Sequence, residues 1–337
     1  MFGLHNLYKK ITDLNNLFYA FREFRRGKRK KREVAEFELN LEENIFALKK
    51  ELDSFSYEHG GYFSFKIFDP KARIIHKAEV RDRIVHQALF RVLYPIFDRS
   101  FIFDSYSSRL KKGTHQAVKR LNGFVRKESA NYKKPCFAVK LDVEKFFYHI
   151  DHKILLELIK EKITCPETLW LTKKIIDSYS SDSDKGLPLG NVTSQLFANI
   201  YLDSLDKFVK QELKEKYYLR FCDDLIFLRE DAGFDGRVSK IKRFIKTKLL
   251  LRAKIDKLKV RKLKWGFDFL GYVILPYHLV LRTKTKKRMF LKIREKKKML
   301  DMGLLSFQEF NQFLNSYLGL LRHCYSSKLK TKLNKIL

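Results

Sequence analysis

The chain is organised around Leu219–Leu228, which reads LRFCDDLIFL. Strand-prone apolar runs flank an aspartate pair: YYLRFC (217–222) comes before Asp223 and Asp224, and LIFL (225–228) follows. A two-residue Asp-Asp link between such runs predicts a tight β-hairpin turn. Two carboxylates about 4 Å apart repel by roughly 4 kcal/mol at an effective dielectric near 20. Solvent tolerates that cost. A cleft demands a cation, most simply Mg²⁺. The dipeptide alone fits a solvated turn equally well.

A second carboxylate upstream shifts the balance. Residues 136–143, CFAVKLDV, alternate as a strand. Phe137, Val139, Leu141 and Val143 fall on one face, and Ala138, Lys140 and Asp142 on the other. Asp142 ends the strand, and EKFFYHIDH reads as a turn into a helix. One strand-end aspartate with a hairpin pair suits two-metal phosphoryl transfer. One ion activates a 3′-hydroxyl and the other stabilises the leaving pyrophosphate, with the ions about 3.5–4 Å apart. That chemistry needs the two strands side by side.

Four blocks then carry a resemblance. LDVEKFF (141–147), GLPLGNVTSQLFANIYL (186–202), FCDDLIFL (221–228) and FDFLGY (267–272) stand in the order found in reverse transcriptases. The likeness runs from about residue 66 to 325. Most relatives read QGxxxSP in the second block. Here Leu189-Gly190-Asn191-Val192-Thr193-Ser194-Gln195 gives LGxxxSQ, which resembles the reverse transcriptases of diversity-generating retroelements.

This resemblance implies an α+β, right-hand polymerase fold with fingers, a ferredoxin-like palm and a helical thumb. It implies RNA-templated addition of deoxynucleotides to a primer 3′-hydroxyl, with Mg²⁺ held at Asp142, Val143, Asp223 and Asp224. Arg73, with Lys66, would grip the incoming triphosphate, since guanidinium binds phosphate bidentately. Phe147 would stack under the sugar and exclude a 2′-hydroxyl. Gly190 and Gln195 would line the nascent base pair, with Gly190 letting the backbone approach the nucleotide. Lys257 would hold or protonate pyrophosphate. Phe269, Leu270, Gly271 and Tyr272 would grip the primer, and Ser105, Tyr106 and Arg109 would shape the template path. Expected partners are template RNA, the RNA/DNA duplex, deoxynucleoside triphosphates and a small basic accessory protein. Plainer roles compete: a surface Arg73, a core Phe147, and helix capping by Thr193 or Ser194.

Composition agrees with a polyanionic partner. Lys and Arg number 71 against 39 Asp and Glu, a formal net charge of +32. Nucleic acid is the first candidate. An anionic membrane surface is the alternative, but no apolar run approaches the 18 or so residues needed to span a bilayer. The first residues, MFGLHNLYKKITDLNNLFYAF, are broken by charge and predict no secretory signal. Cys136, Cys165, Cys222 and Cys324 form no metal pattern and read as reduced thiols of a cytoplasmic protein.

The organisation expected along the chain starts with a basic helical extension over 1–60, where Leu4, Leu7, Ile11, Leu14, Leu17, Phe18 and Phe21 recur at helical spacing. Fingers follow over 61–135, with a hairpin expected over Tyr62–Ile75 that contains Pro70, and a palm over 136–275, with a fingers segment at about 150–193. A helical thumb occupies 276–337. Within the extension a second helix is expected over Glu36–Leu52, and a long helix over Ser194–Leu213. FREFRRGKRKKREV (21–34) is either a solvated face or an RNA-backbone contact. His149 and His152 form an HxxH pair with no further zinc ligand nearby. Two other readings stay open: a retron or phage-defence reverse transcriptase, and an inactive RNA-binding scaffold.

Overall fold

Helical stripes in the first fifty residues build α1 (Leu7–Thr12), α2 (Leu14–Phe24), α3 (Arg32–Leu39) and α4 (Leu41–Asp53). The computed structural model describes residues 6–68, 72–231, 233, 235–253 and 259–337. Leu7, Ile11, Leu17 and Phe21 of the predicted stripe are buried. Leu4 lies outside the described residues. Asp13 starts α2 by accepting hydrogen bonds from the Asn15 and Asn16 amides, which satisfies two of the orphan N–H groups of a helix start. The single helix expected over Glu36–Leu52 is instead two. The chain breaks at Asn40, between α3 and α4. The Asn44 side chain then donates to the Phe37 carbonyl at 3.1 Å, covering an end that α3 leaves open.

The chain divides into two compact units. The first comprises Met1–Ser108, Val143–Lys214 and Arg237–Lys254. Besides α1–α4 it holds a hairpin of β1 (Tyr62–Ile67) and β2 (Arg73–Ala78), with register from Tyr62↔Ala78 to Ile67↔Arg73. Pro70 of the expected hairpin lies outside the described residues. α5 (Val80–Asp98) buries Ile84, Val85, Ala88 and Leu89 along one stripe. α7 (Phe146–His149), α8 (His152–Lys160), α9 (Pro166–Asp177), α10 (Val192–Lys207) and α11 (Asp235–Thr247) complete it. The long helix expected over Ser194–Leu213 begins two residues earlier. It widens at Phe208–Glu212 into a π-helical turn.

The second unit comprises Arg109–Asp142, Glu215–Gly236 and Ile255–Leu337. It contains α6 (Thr114–Glu128), β3 (Phe137–Asp142), β4 (Tyr218–Phe221), β5 (Asp224–Arg229) and β6 (Lys259–Lys262). These four strands form one antiparallel sheet in the order β4-β5-β3-β6. Helices in the chain separate β3 from β4 and β5 from β6, so the connectivity is βαββαβ. Taken with that strand order, this is the ferredoxin-like arrangement. A second sheet, β7 (Phe267–Phe269), β8 (Tyr272–Leu275) and β9 (His278–Leu281), leads into α12 (Thr283–Asp301), α13 (Phe307–Leu321) and α14 (Ser327–Asn334). Ser306 and Glu309 form a reciprocal capping box that fixes the start of α13. No helix among the described residues is long and apolar enough to cross a membrane.

Candidate active site

The register of the four-stranded sheet brings the carboxylates together. β3 and β5 are direct neighbours, and Asp142 stands opposite Asp224 at the end of the pairing. Residues directly opposite in an antiparallel pair have Cβ atoms about 4.5–5.5 Å apart, and like charges there are destabilising. The turn differs by one residue from the expected Asp-Asp link. Phe221 pairs with Asp224, so Cys222 and Asp223 form the turn and Asp224 opens β5. Cys222 carries the positive φ, 55°. A left-handed conformation costs a non-glycine residue about 1–2 kcal/mol. The buried Arg220 guanidinium donates to the Cys222 carbonyl at 3.2 Å and holds the turn from below.

The electrostatics follow from this geometry. Burial, then Asp224, then Asp142 push the Asp223 carboxyl up from 3.8 to about 6. The Lys140 ammonium, on the same face of β3 as Asp142, donates to Asp224 at 2.5 Å. Lys140 pairs in register with Ile226, so it reaches Asp224 diagonally. Among the described residues no group of three His, Cys, Asp or Glu side chains is arranged to hold a metal ion as it stands. The three carboxylates nonetheless offer the hard oxygen donors that Mg²⁺ takes, and a cation among them would relieve the repulsion that raises Asp223. Val143 is buried and bridges Ala253 within the first unit.

In the first unit one loop ties together three of the expected nucleotide-contact segments. The Gly186 and Leu187 amides donate to the Ile150 and Phe147 carbonyls at 2.8 and 2.7 Å. At the loop's other end, the His76 amide of β2 donates to the Leu189 carbonyl at 2.8 Å, and the Asn191 side chain donates to the His76 carbonyl at 3.2 Å. Gly190 therefore has a local reason to be glycine. Its φ is +121°, and a Cβ there would meet Ile75 Cγ2 at 2.8 Å. The close approach is to β2, which also carries the exposed Arg73 three residues before His76. Lys66 is likewise exposed, on β1.

Phe146 is buried against the core, whereas Phe147 is half-buried beside it, with ring centroids 5.4 Å apart. The expected capping by Thr193 or Ser194 is not formed. α10 begins at Val192, after Asn191. The Thr193 hydroxyl is instead within 2.8 Å of His86 Nδ1, and His86 Nε2 faces His59 Nε2 at 3.0 Å. Gln195 is exposed in the first turn of α10, where its neighbours on either side are buried. This buried histidine line under the loop was not foreseen from the sequence, because its members are far apart in the chain.

The FDFLGY block forms the β7–β8 turn. Leu270 and Gly271 both have positive φ, 47° and 88°, as a type I′ turn requires. Phe269 and Tyr272 are buried on either side, so Leu270 and Gly271 are the turn residues nearer the surface. Phe269 meets Phe221 of the aspartate hairpin edge to face, with centroids 6.5 Å apart. His152 is buried, with Nε2 2.7 Å from the Gly186 carbonyl, which gives half of the HxxH pair a structural role. Lys257 lies outside the described residues. All four cysteines are free.

Comparison with known proteins agrees with this layout. The sequence profile of the reverse transcriptase (RNA-dependent DNA polymerase) family matches residues 68–274. Protein YkfC of Escherichia coli is 22% identical over 246 residues, covering 61% of this chain and 64% of YkfC. The group II intron-encoded protein LtrA of Lactococcus lactis is 30% identical over 142 residues, covering 40% of this chain and 22% of LtrA. The chain thus spans less than two thirds of either relative. Among solved structures, telomerase from Candida albicans superposes with a TM-score of 0.52 at 13% identity, covering 83% of this chain and 55% of that one. That likeness concerns the fold. The profile match, with the ferredoxin-like sheet and its carboxylate register, makes the chain a member of the reverse transcriptase (RNA-dependent DNA polymerase) family with an α+β, right-hand polymerase fold.

Proposed function

We propose that this protein is an RNA-directed DNA polymerase, extending a primer 3′-hydroxyl with deoxynucleotides against an RNA template. The carrying observation is the register that sets Asp142 opposite Asp224, with Asp223 in the adjoining turn. Reverse transcriptases generally use divalent metals. Asp142, Asp223 and Asp224 hold two Mg²⁺, with the Val143 carbonyl as a further oxygen donor. The ions when bound supply an acidified 3′-hydroxyl and charge neutralisation at the leaving pyrophosphate. Lys140 serves as the counter-ion of Asp224 when metal is absent. Arg73 and Lys66 bind the triphosphate, and the role of Lys257 is to hold or protonate pyrophosphate. Phe147 presses on the sugar and selects against a 2′-hydroxyl. Gly190 and Gln195 belong to the surface beneath the nascent base pair, and the Phe269–Tyr272 turn steadies the primer. The basic α12 and the helices after it act as a thumb along the duplex backbone. Residues 61–135 and about 150–193 act as fingers, 136–275 as palm, and 1–60 as a basic extension.

The finer reading is error-prone copying of a retroelement template RNA, working with a small basic accessory protein. Its support is the LGxxxSQ form of the loop, in which Leu189 replaces a hydrogen-bonding glutamine and Gln195 replaces a stiffening proline. A retron or phage-defence enzyme would share the catalytic core. The test is single-nucleotide extension of a DNA primer on an RNA template with Mg²⁺. Extension with deoxynucleotides in strong preference to ribonucleotides is expected. A folded, RNA-binding protein that adds no nucleotide would leave the scaffold reading in its place.

A further inference from the structure

The second unit contains a cleft of about 660 Å³ away from the aspartates in sequence, walled by aromatic and amide side chains. One wall is α6, with His115, Gln116, Lys119 and Asn122. The opposite side is the β8–β9 turn with Tyr277 and the segment between α13 and α14 with His323 and Tyr325. The floor is Tyr272, 1% exposed, whose hydroxyl lies 3.2 Å from the Leu320 carbonyl and 3.3 Å from His115 Nδ1.

Three features of this cleft ask for a ligand. Tyr277 is 74% exposed, with Tyr132 tilted against its ring at 4.6 Å, and Tyr325 is 63% exposed, with His278 edge-on at 5.7 Å, so each ring is held by a neighbour and still presents surface to water. Tyr277 also holds a φ of +62° as the second residue of the two-residue β8–β9 turn, a position usually filled by glycine or asparagine and strained for a bulky side chain. His115 and His323 already stack face to face, with centroids 3.7 Å apart and planes 21° off parallel. Burial and the neighbouring His323 hold His115 below its ordinary value. Lys119 lines the cleft, and α14 (SKLKTKLN), starting two residues after Tyr325, has three lysines and no acid.

We propose that this cleft binds an unpaired nucleotide of single-stranded nucleic acid, stacking its base on Tyr277 or Tyr325 while Lys119 and the α14 lysines take the flanking phosphates. Flat exposed rings bind any base through its π-face, and a basic track beside them binds the backbone. The Gln116 and Asn122 amides are the polar groups placed to meet a base edge. A basic protein partner is disfavoured by the same lysines. Tyr272 at the floor also belongs to the turn proposed to steady the primer, but Tyr277 and Tyr325 do not, and the test reads binding rather than nucleotide addition.

The probes are a fluorescent 12-nucleotide oligouridylate, its oligothymidylate equivalent, and an abasic strand of equal length and charge. The variant is Tyr277→Ala with Tyr325→Ala, both rings being largely in solvent, and the control is the double Phe replacement. At 200 mM salt, where backbone binding elsewhere is weakened, the Ala variant should bind the base-bearing strands about 5- to 150-fold more weakly. That is roughly 1–3 kcal/mol at 1.4 kcal/mol per factor of ten. Affinity for the abasic strand should not change, and the Phe variant should match the parent. RNA or DNA preference identifies whether template or product strand occupies the cleft. Ultraviolet cross-links should map to Tyr277 or Tyr325. Unchanged affinity, an equal loss for the abasic strand, or cross-links only outside the cleft would overturn the proposal.

Discussion

Asp223→Asn should make the metal-free protein more stable while removing nucleotide incorporation. Burial and the two neighbouring aspartates raise the Asp223 carboxyl from 3.8 to about 6. That rise of about two pH units corresponds to at most about 3 kcal/mol of cost for its ionised form at neutral pH. Partial exposure screens some of it, leaving about 1–3 kcal/mol. The sign follows from proton binding. Between about pH 4 and 6 the folded state binds more protons at this group than the unfolded chain does, so stability falls as pH rises through that window. Asparagine carries no charge and escapes the loss. With an unfolding entropy of about 2.1 cal/mol/K per residue, a chain of 337 residues should melt about 1.5–4 °C higher as the variant at pH 8 in EDTA. At pH 4 the difference should vanish. Added Mg²⁺ should raise the melting temperature of the parent more than that of the variant. The assay is calorimetry at the two pH values with and without metal, beside primer extension. A variant that melts lower than the parent at pH 8 in EDTA, or a gap that persists at pH 4, would refute the repulsion argument.

Three further outcomes are expected. RNA affinity should fall by about 10³–10⁵ between roughly 50 and 200 mM salt if six to ten phosphates are neutralised; a flat titration would show that the basic runs near residues 22–32 and 282–298 are solvated faces. Gly190→Ala should destabilise by about 1–3 kcal/mol, because the new Cβ meets Ile75 at a φ of +121°, and should raise KM for the incoming nucleotide; melting and steady-state kinetics check both. Leu189→Gln with Gln195→Pro should lower misincorporation opposite template adenine, since about 1.4 kcal/mol of added discrimination changes relative rates tenfold. Single-nucleotide kcat/KM for right and wrong bases reads it, and an unchanged error ratio in a folded variant removes this loop from fidelity.

The carboxylate sheet was legible because strands write themselves at period two or as short apolar runs. Phe137–Asp142 alternates and Asp224–Arg229 is a short continuous apolar run, each with an aspartate at its end, and their pairing needed only one assumption, that the two are neighbours. The turn was read one residue off. Nothing in CDD marks Cys222 as the residue that takes the positive φ, a choice fixed by Arg220 holding its carbonyl. Lys140 was placed on the correct face, but its diagonal reach to Asp224 is a register property. Gly190 illustrates a different limit. Its requirement for glycine was visible, but its cause, contact with Ile75 of a strand more than a hundred residues earlier, is a tertiary fact. The buried line from His59 through His86 to Thr193 was hidden for the same reason. The break at Asn40 interrupts a continuous apolar stripe, and the Asn44 side chain covers the Phe37 carbonyl left open there.

The most direct measurement is single-turnover incorporation on an RNA template by Asp142→Asn and Asp224→Asn, beside the affinity of each for the primer–template duplex. These residues face each other at the end of β3 and β5. If they hold the metal ions of nucleotide transfer, each variant should lose about 10³-fold or more in rate, equivalent to roughly 4 kcal/mol, with duplex affinity within a few-fold of the parent. Incorporation by either folded variant within tenfold of the parent would contradict metal-dependent chemistry at this pair.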